Sequence, residues 1–256
     1  MASPSSSTIV LITGANSGIG YAATKVIASA SSDYHVIMAC RSLSKGNAAL
    51  EEIQQEGIIK GSLSTIQLDV TDEQSIDAAA KHIEDKFGRL DVLINNAGIA
   101  SMNIPNLKKQ FEDTYTTNVI GTALVTRAME PLLLKSQRPG YVLHVSSALG
   151  SVTRALDPTQ AGYLLPTAVA YCVSKAALNM LTVEHLKRLG PQGVKVFVVC
   201  PGLVRSYLRG KTAEQVSAGG KAGDPMVSGR FFLSVIEGER DGDVGKFIHK
   251  DGVYPW

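Results

Sequence analysis

The sequence has almost no net charge: 25 Lys and Arg stand against 23 Asp and Glu, interspersed along 256 residues, for a formal +2. With no basic stripe and no block of one sign, there is no electrostatic footprint for nucleic acid or an anionic membrane, and small molecules are the expected partners. Long apolar runs are missing too; none approaches the ~20 residues of a membrane span. The opening Met1-Ala2-Ser3-Pro4-Ser5-Ser6-Ser7 lacks the basic and apolar regions of a secretory leader, so a cytoplasmic protein is expected. Cysteine is scarce. Cys40, Cys172 and Cys200 are odd in number and far apart, which excludes a disulfide framework and the metal or redox spacings, and they read as reduced core residues. The five histidines are scattered with no pair at ligand spacing, so no metal is assigned. Internal repeats and domain linkers are absent. The 45% apolar content suits an ordinary globular core. The Ser-rich residues 1–7 read as a disordered tail and residues 8–256 as a single catalytic domain.

The apolar segments follow an α/β rhythm. Thr8 to Thr13 is a short, nearly all-apolar, β-branched run, as in a strand covered on both faces. It leads straight into Gly14-Ala15-Asn16-Ser17-Gly18-Ile19-Gly20 and then a helical pattern from Tyr21 to about Ala30. A strand, a glycine-rich turn and a helix in that order aim the helix amides and dipole at a phosphate, and the glycines allow close approach. Strands are expected near Val36 to Cys40, Thr65 to Leu68, Asp91 to Asn95, Tyr141 to Val145, Val194 to Val199 and Val244 to His249. Helices are expected over Ser44 to Glu56, Asp72 to Phe87, Pro105 to Lys135 with a bend near Pro131, Val169 to Leu189 and Met226 to Ile236. Ser206 to Pro225 reads as a Gly-rich polar loop. This alternation predicts a Rossmann-type, doubly wound parallel sheet of about seven strands flanked by helices.

Such sheets bind ligands at the carboxyl ends of their strands. Polar residues interrupt the apolar strands there: Asp69, Asn95-Asn96, Ser146-Ser147 and Pro201-Gly202. Downstream of Ser147 comes Tyr171-Cys172-Val173-Ser174-Lys175. The Tyr-x-x-x-Lys spacing also occurs at Tyr21 and Tyr207, so spacing alone proves nothing. Only Tyr171 combines a long helical pattern with a preceding strand that ends in hydroxyl residues. On a helix, four residues stack the phenol and the ammonium one turn apart. A fixed cation beside the phenol is expected to lower its pKa and make it a proton donor or acceptor near neutrality.

In order and spacing, Thr13-Gly-Ala-Asn-Ser-Gly-Ile-Gly20, Leu68-Asp-Val70, Asn95-Asn-Ala-Gly98, Asn118, Ser147, Tyr171-x-x-x-Lys175 and Pro201-Gly202 resemble the motifs of the classical short-chain dehydrogenase/reductase family, over essentially the whole chain. The resemblance implies Tyr171 as general acid/base. It implies Lys175 as its pKa-lowering partner and a donor to the nicotinamide ribose, Ser147 as the hydroxyl that holds a substrate carbonyl, and Asn118 as part of a water-linked relay to Lys175. Ser146, pointing the other way on a strand, is the alternative to Ser147. Gly14, Asn16, Ser17, Gly18, Ile19 and Gly20 would meet the pyrophosphate; Asp69 and Val70 the adenine; Asn95, Ala97 and Gly98 the adenine ribose and nicotinamide side. Pro201, Gly202, Val204 and Ser206 would meet the carboxamide, with Ser206 replacing the family's usual threonine.

Charge argues the cofactor choice. NAD users place an acidic residue at the end of the second strand, whereas a 2′-phosphate is met by arginine. Here Cys40 and Arg41 stand there, so NADPH/NADP is favoured over NAD. Between Ser147 and Tyr171 lie 23 residues that include Leu149, Leu156, Tyr163, Leu164 and Leu165. With Met102 and Leu203 they imply a largely apolar pocket, with Ser147, Leu149, Tyr163, Leu164, Tyr171 and Leu203 against the substrate. The tail Gly245 to Trp256 resembles fungal NADPH-dependent ketoreductases of polyketide-like aromatic ketones. Arg205, Arg209 and Lys211 read as a solvated loop. The expected activity is NADPH-dependent reduction of a hydrophobic ketone. The rivals are an alcohol dehydrogenase or imine/enone reductase on the same scaffold, or a catalytically silent NADP(H) sensor. A homodimer or homotetramer is implied, paired through residues 105–135 and 169–189.

Overall fold

The computed structural model describes residues 7–102, 104–160 and 168–256. The chain alternates β1 (Thr8–Thr13), α1 (Gly18–Ala30), β2 (Tyr34–Cys40), α2 (Leu43–Gln55), β3 (Ser62–Gln67), α3 (Glu73–Phe87) and β4 (Val92–Asn95). It continues through α4 (Leu107–Tyr115), α5 (Thr122–Leu133), β5 (Tyr141–Val145), α6 (Val152–Ala155), α7 (Val169–Leu189) and β6 (Lys195–Cys200). The last elements are α8 (Ala213–Ser217), α9 (Pro225–Ile236), β7 (Phe247–His249) and β8 (Gly252–Tyr254). The strands form one sheet in the order β3-β2-β1-β4-β5-β6-β7-β8, parallel throughout except for β8. The strand order reverses direction between β1 and β4, which opens a crevice above their carboxyl ends.

Successive strand residues point to opposite faces, and here both faces are dry. Val10, Ile12, Val36, Met38, Ile94, Leu143 and Phe197 pack under α1, α2 and α9 through Ile27, Ile53 and Phe232. Ile9, Leu11, Ile37, Leu93, Val142 and Val196 pack under α3 and α5 through Ile76, Ile83, Val125 and Met129, and Leu189 at the end of α7 joins them. Each such fully buried branched side chain stabilises the fold by about 1.5–3 kcal/mol relative to leaving it exposed.

Several elements differ from the sequence reading. The single helix expected over Pro105 to Lys135 is two helices joined by a π-helical turn, Thr116–Gly121, while Pro131 sits in the last turn of α5. Packing explains the position of the turn. A Cβ on Gly121 would lie 2.5 Å from the Val70 carbonyl oxygen, so the helix crosses the end of β3 at closest approach there. The 206–225 segment is not plain loop: it holds a 3-10 turn at Tyr207–Arg209 and α8, whose start is a capping box between Thr212 and Gln215. The final strand is shorter than expected and turns back at Lys250 and Asp251 into an eighth strand, antiparallel to it. Ser7, read as part of the tail, is buried and its carbonyl accepts from Arg89 Nη2 at 2.7 Å. The disorder expected of residues 1–6 lies outside the described residues.

Candidate active site

The parallel sheet brings the residues singled out by sequence to one edge: the turn after β1, Arg41 after β2, Asp69 and Val70 after β3, residues 96–98 after β4, Ser147 after β5 and Pro201 to Ser206 after β6. The turn after β1 has room only for glycine where it folds on itself. A Cβ on Gly20 would stand 2.5 Å from the Gly14 carbonyl oxygen and 2.6 Å from Asn96 Nδ2. Ser17 is the N-cap of α1 but makes no side-chain capping bond, unlike Ser42 and Asp72 at the next two strand-to-helix turns. The first amides of α1 therefore suit a phosphate. Ser206 packs against this turn: a Cβ on Gly18 would lie 3.4 Å from its Cβ.

Asn95 is not brought to the crevice. Its side chain is buried in the core, where Nδ2 donates to Thr126 Oγ1 at 3.0 Å and to His144 Nδ1 at 3.2 Å. The neighbour Asn96, which the sequence reading left without a role, ties β4 to the turn. Its Nδ2 donates to the Thr13 carbonyl at 2.9 Å and the Gly14 carbonyl at 3.3 Å, while the amides of Asn96 and Ala97 both donate to Thr13 Oγ1 at 3.0 Å. Strand alternation fixes which asparagine points where, and the register of a four-residue strand was the missing signal.

Arg41 is exposed and forms no ion pair among the described residues, and buried Cys40 stands where a ribose-binding carboxylate would. Asp69 Oδ1 accepts from the amide and hydroxyl of Thr71 at 2.9 and 2.7 Å, which holds its carboxylate at the end of β3. Leu149 is half-buried and Leu203 exposed. Tyr163 and Leu164 lie outside the described residues. Arg209 is not a solvated cation. It donates to the carbonyls of Val204, Gln215 and Val216 at 2.8, 3.0 and 2.9 Å, so it folds the segment after β6 into a compact flap. Arg205 and Lys211 are exposed, the former 3.5 Å from Asp224.

Tyr171 and Lys175 share one face of α7 and are both buried. Lys175 Nζ lies 5.6 Å from the centre of the Tyr171 ring and donates to the Val145 carbonyl at 2.8 Å. The Ser147 side chain stands close enough to the Tyr171 hydroxyl to oppose the rise of its pKa. Ser146 is turned away into the interior, where its hydroxyl donates to Asn179 Oδ1 at 2.6 Å. Asn118, in the π-helical turn, is fully buried; its Oδ1 accepts from the Ile99 amide and its Nδ2 donates to the Ile99 carbonyl, both at 2.9 Å, with a further bond to Ser174 Oγ at 3.0 Å. A Cβ on Gly98 would stand 3.2 Å from Asn118 Oδ1 and 3.5 Å from Lys175 Nζ, so these two groups converge on one point.

The expected lowering of the Tyr171 pKa is reversed here. Burial pushes the phenol above its ordinary value, opposed first by the Ser147 hydrogen bond and then by the charge of Arg209. Lys175 is the group that burial brings toward neutrality, from 10.5 to about 8. The arrangement holds a protonated phenol, a hydroxyl and a lysine that titrates near working pH. It can therefore give a proton to an oxygen atom at the crevice mouth.

The family model for short chain dehydrogenases matches residues 8–217. The short-chain dehydrogenase/reductase tropE of Talaromyces stipitatus is 35% identical over 95% of both chains. Carbonyl reductase [NADPH] 1 of Bos taurus is 30% identical over 98% of this chain and 99% of its own. Among solved structures, NADPH-bound carbonyl reductase from chicken fatty liver superposes with a TM-score of 0.81 at 28% identity, over 97% of this chain and 98% of that one. The chain belongs to the short-chain dehydrogenases, a family of oxidoreductases.

Proposed function

We propose that this protein is an NADPH-dependent carbonyl reductase of hydrophobic ketones, with Tyr171 as proton donor. The observation that carries the reading is the grouping of Ser147, Tyr171 and Lys175 at the carboxyl ends of the strands, where the flap after β6 packs Ser206 against the glycine turn. The residues fit a dinucleotide: the uncapped start of α1 and Gly14 to Gly20 for the pyrophosphate, Asp69 and Val70 for the adenine, Ala97, Gly98, Lys175 and Pro201 to Ser206 for the nicotinamide half. Arg41, which forms no ion pair among the described residues, suits a 2′-phosphate. The bovine and chicken relatives are named for NADPH, which supports the same choice.

When bound, the reduced nicotinamide supplies a hydride to the carbonyl carbon. Tyr171 gives its proton to the oxygen as negative charge develops there, and the Ser147 hydroxyl donates a hydrogen bond to the same atom. Lys175 restores the balance of charge around the phenolate, and Asn118, converging with it beside Gly98, keeps its surroundings polar. The side taken for the substrate is bordered by the aromatic C-terminal tail. Ser151 Oγ donates to the Pro255 carbonyl at 2.7 Å and the Thr153 amide to the Trp256 carbonyl at 2.9 Å, so the tail folds against the segment that follows Ser147. The Arg154 guanidinium lies 4.4 Å over the Tyr254 ring. That wall favours an aromatic, polyketide-like ketone, a substrate of secondary metabolism. Three free thiols suit a reducing cytoplasm. Exposed Val169, Val173 and Met180 along α7 offer a stripe for pairing with a second copy as a homodimer or, by further pairing, a homotetramer.

The direct test is NADPH oxidation against a panel of aromatic, aliphatic and cyclic ketones, repeated with NADH. Turnover of aromatic ketones with NADPH preferred supports the proposal. Tight NADPH binding with no turnover of any ketone points to a sensor instead.

A further inference from the structure

The stripe of α7 that carries Tyr171 and Lys175 continues one turn further, to Asn179, which is buried and does not touch the crevice. Its carboxamide is used at both ends. Oδ1 accepts from Ser146 Oγ at 2.6 Å, and Nδ2 donates to the Gly150 carbonyl at 3.1 Å. These two partners bracket Ser147, one residue before it and three after. Between them the chain makes a tight 3-10 turn, Ala148–Gly150, closed by the Gly150 amide on the Ser147 carbonyl at 2.8 Å.

That turn rests on the backbone of α7 itself. A Cβ on Gly150 would stand 2.6 Å from the Lys175 carbonyl carbon and 2.8 Å from Lys175 Cβ, so turn and helix are in contact with nothing between them. Close contact sets their separation but leaves the turn able to slide along the helix. Directional bonds stop the sliding. Lys175 Nζ holds the carbonyl of Val145, and Asn179 holds the side chain of Ser146 and the carbonyl of Gly150. Ser147 Oγ also accepts from the Leu149 amide at 3.2 Å, so the pose of the hydroxyl depends on the pose of the whole turn.

We propose that Asn179 is a positioning residue for the reaction. It clamps the Ser146-to-Gly150 turn to α7 and so fixes Ser147 opposite Tyr171. The inference rests on the assignment of Ser147 under the proposed function. Asparagine is suited because one planar group presents an acceptor to a hydroxyl and a donor to a carbonyl. Aspartate would face the Gly150 carbonyl with an acceptor, and alanine would take the Asn179 donor from the buried Gly150 carbonyl and leave Ser146 Oγ only the longer bond to the Lys175 carbonyl at 3.4 Å.

The test uses NADPH with benzil, an activated aromatic diketone, in single-turnover and steady-state assays on the full chain. Asn179→Ala is expected to lower kcat by roughly tenfold to a hundredfold, the range set by small misplacements of a catalytic group, with the KM for NADPH within about twofold of wild type. Asn179→Asp is expected to lose comparably. In a Ser147→Ala background, where no hydroxyl is left to position, Asn179→Ala should cost less than about twofold further. A purely structural role would cost the same factor in both backgrounds. Ser146→Ala removes one of the two clamped groups, carries the same comparison if Asn179→Ala does not fold, and should combine with it less than additively. Wild-type kcat in Asn179→Ala, or equal losses with and without Ser147, would overturn the proposal. Undiminished turnover in Ser147→Ala alone would remove the reading on which it rests.

Discussion

A buried lysine is costly wherever it stands, and at Lys175 the cost has a visible size. Depression of its pKa from 10.5 to about 8 corresponds to roughly 3 kcal/mol against burying the charged form. Its bond to the Val145 carbonyl offsets only part of this. Lys175→Met, which keeps the apolar stem and removes the charge, is therefore expected to raise the melting temperature while reducing turnover by at least tenfold. Calorimetry and the NADPH assay on one preparation check both; a variant that is less stable and inactive would mean that the ammonium is a structural bond first. The Tyr171–Lys175 pair was legible as a spacing, but the electrostatics were not. Which of two neighbouring groups shifts depends on how deeply each is buried, and a Tyr-x-x-x-Lys string carries no record of that. Ser147 against Ser146 is similar: the sequence offers two hydroxyls, and only the strand's register turns Ser146 inward to Asn179.

Between elements, β5 and α7 are joined behind the site by a buried histidine pair. Asn95 Nδ2 donates to His144 Nδ1, so His144 Nε2 carries the hydrogen and donates to His185 Nδ1 at 3.0 Å. This chain of bonds suits both rings as neutral imidazoles. Burial, first of all, keeps both pKa values below the ordinary 6.5, helped at His144 by His185 and Lys175 and at His185 by Arg188, with His185 at about 4. In the unfolded chain both rings titrate near 6.5, so the unfolded state gains protons first as the pH falls. The stability associated with the neutral pair is complete above pH 6.5 and is lost as the pH drops toward 4, by roughly 3 kcal/mol for His185 alone. Urea melts at pH 7 and pH 4.5 are expected to show this loss. The double variant His144→Leu/His185→Leu, less stable at pH 7, should depend less on pH over that interval. An unchanged slope would assign the acid sensitivity to other groups. None of this was visible in the sequence, where five scattered histidines excluded a metal and suggested nothing else. The break in the helix over residues 107–133 escaped for a related reason: it falls where Gly121 packs against Val70, a contact between residues about 50 positions apart.

At the scale of the molecule, legibility was high because one physical constraint dominates. A parallel sheet with two dry faces needs near-continuous apolar strands, and Thr8 to Thr13, Tyr141 to Val145 and Lys195 to Cys200 declare themselves as such. Polar residues then concentrate at the strand ends, and the crevice forms where the strand order reverses. Short edge elements such as β8 lack that signature, since a three-residue strand with half-exposed side chains reads as a turn. The flap after β6 was hidden because its organising group, Arg209, bonds backbone carbonyls rather than a partner the sequence could name. The glycine turn and the flap meet at Gly18 and Ser206, and Arg209 of the flap lies near enough for its charge to bear on the phenol of Tyr171. In the proposed reaction this phenol delivers the proton. The measurement that tests it most directly is the paired determination of NADPH affinity and single-turnover ketone reduction in Tyr171→Phe. Cofactor binding within about threefold of wild type, with reduction slowed by at least a hundredfold, is the result expected for loss of a general acid. Reduction at the wild-type rate with intact cofactor binding would contradict it.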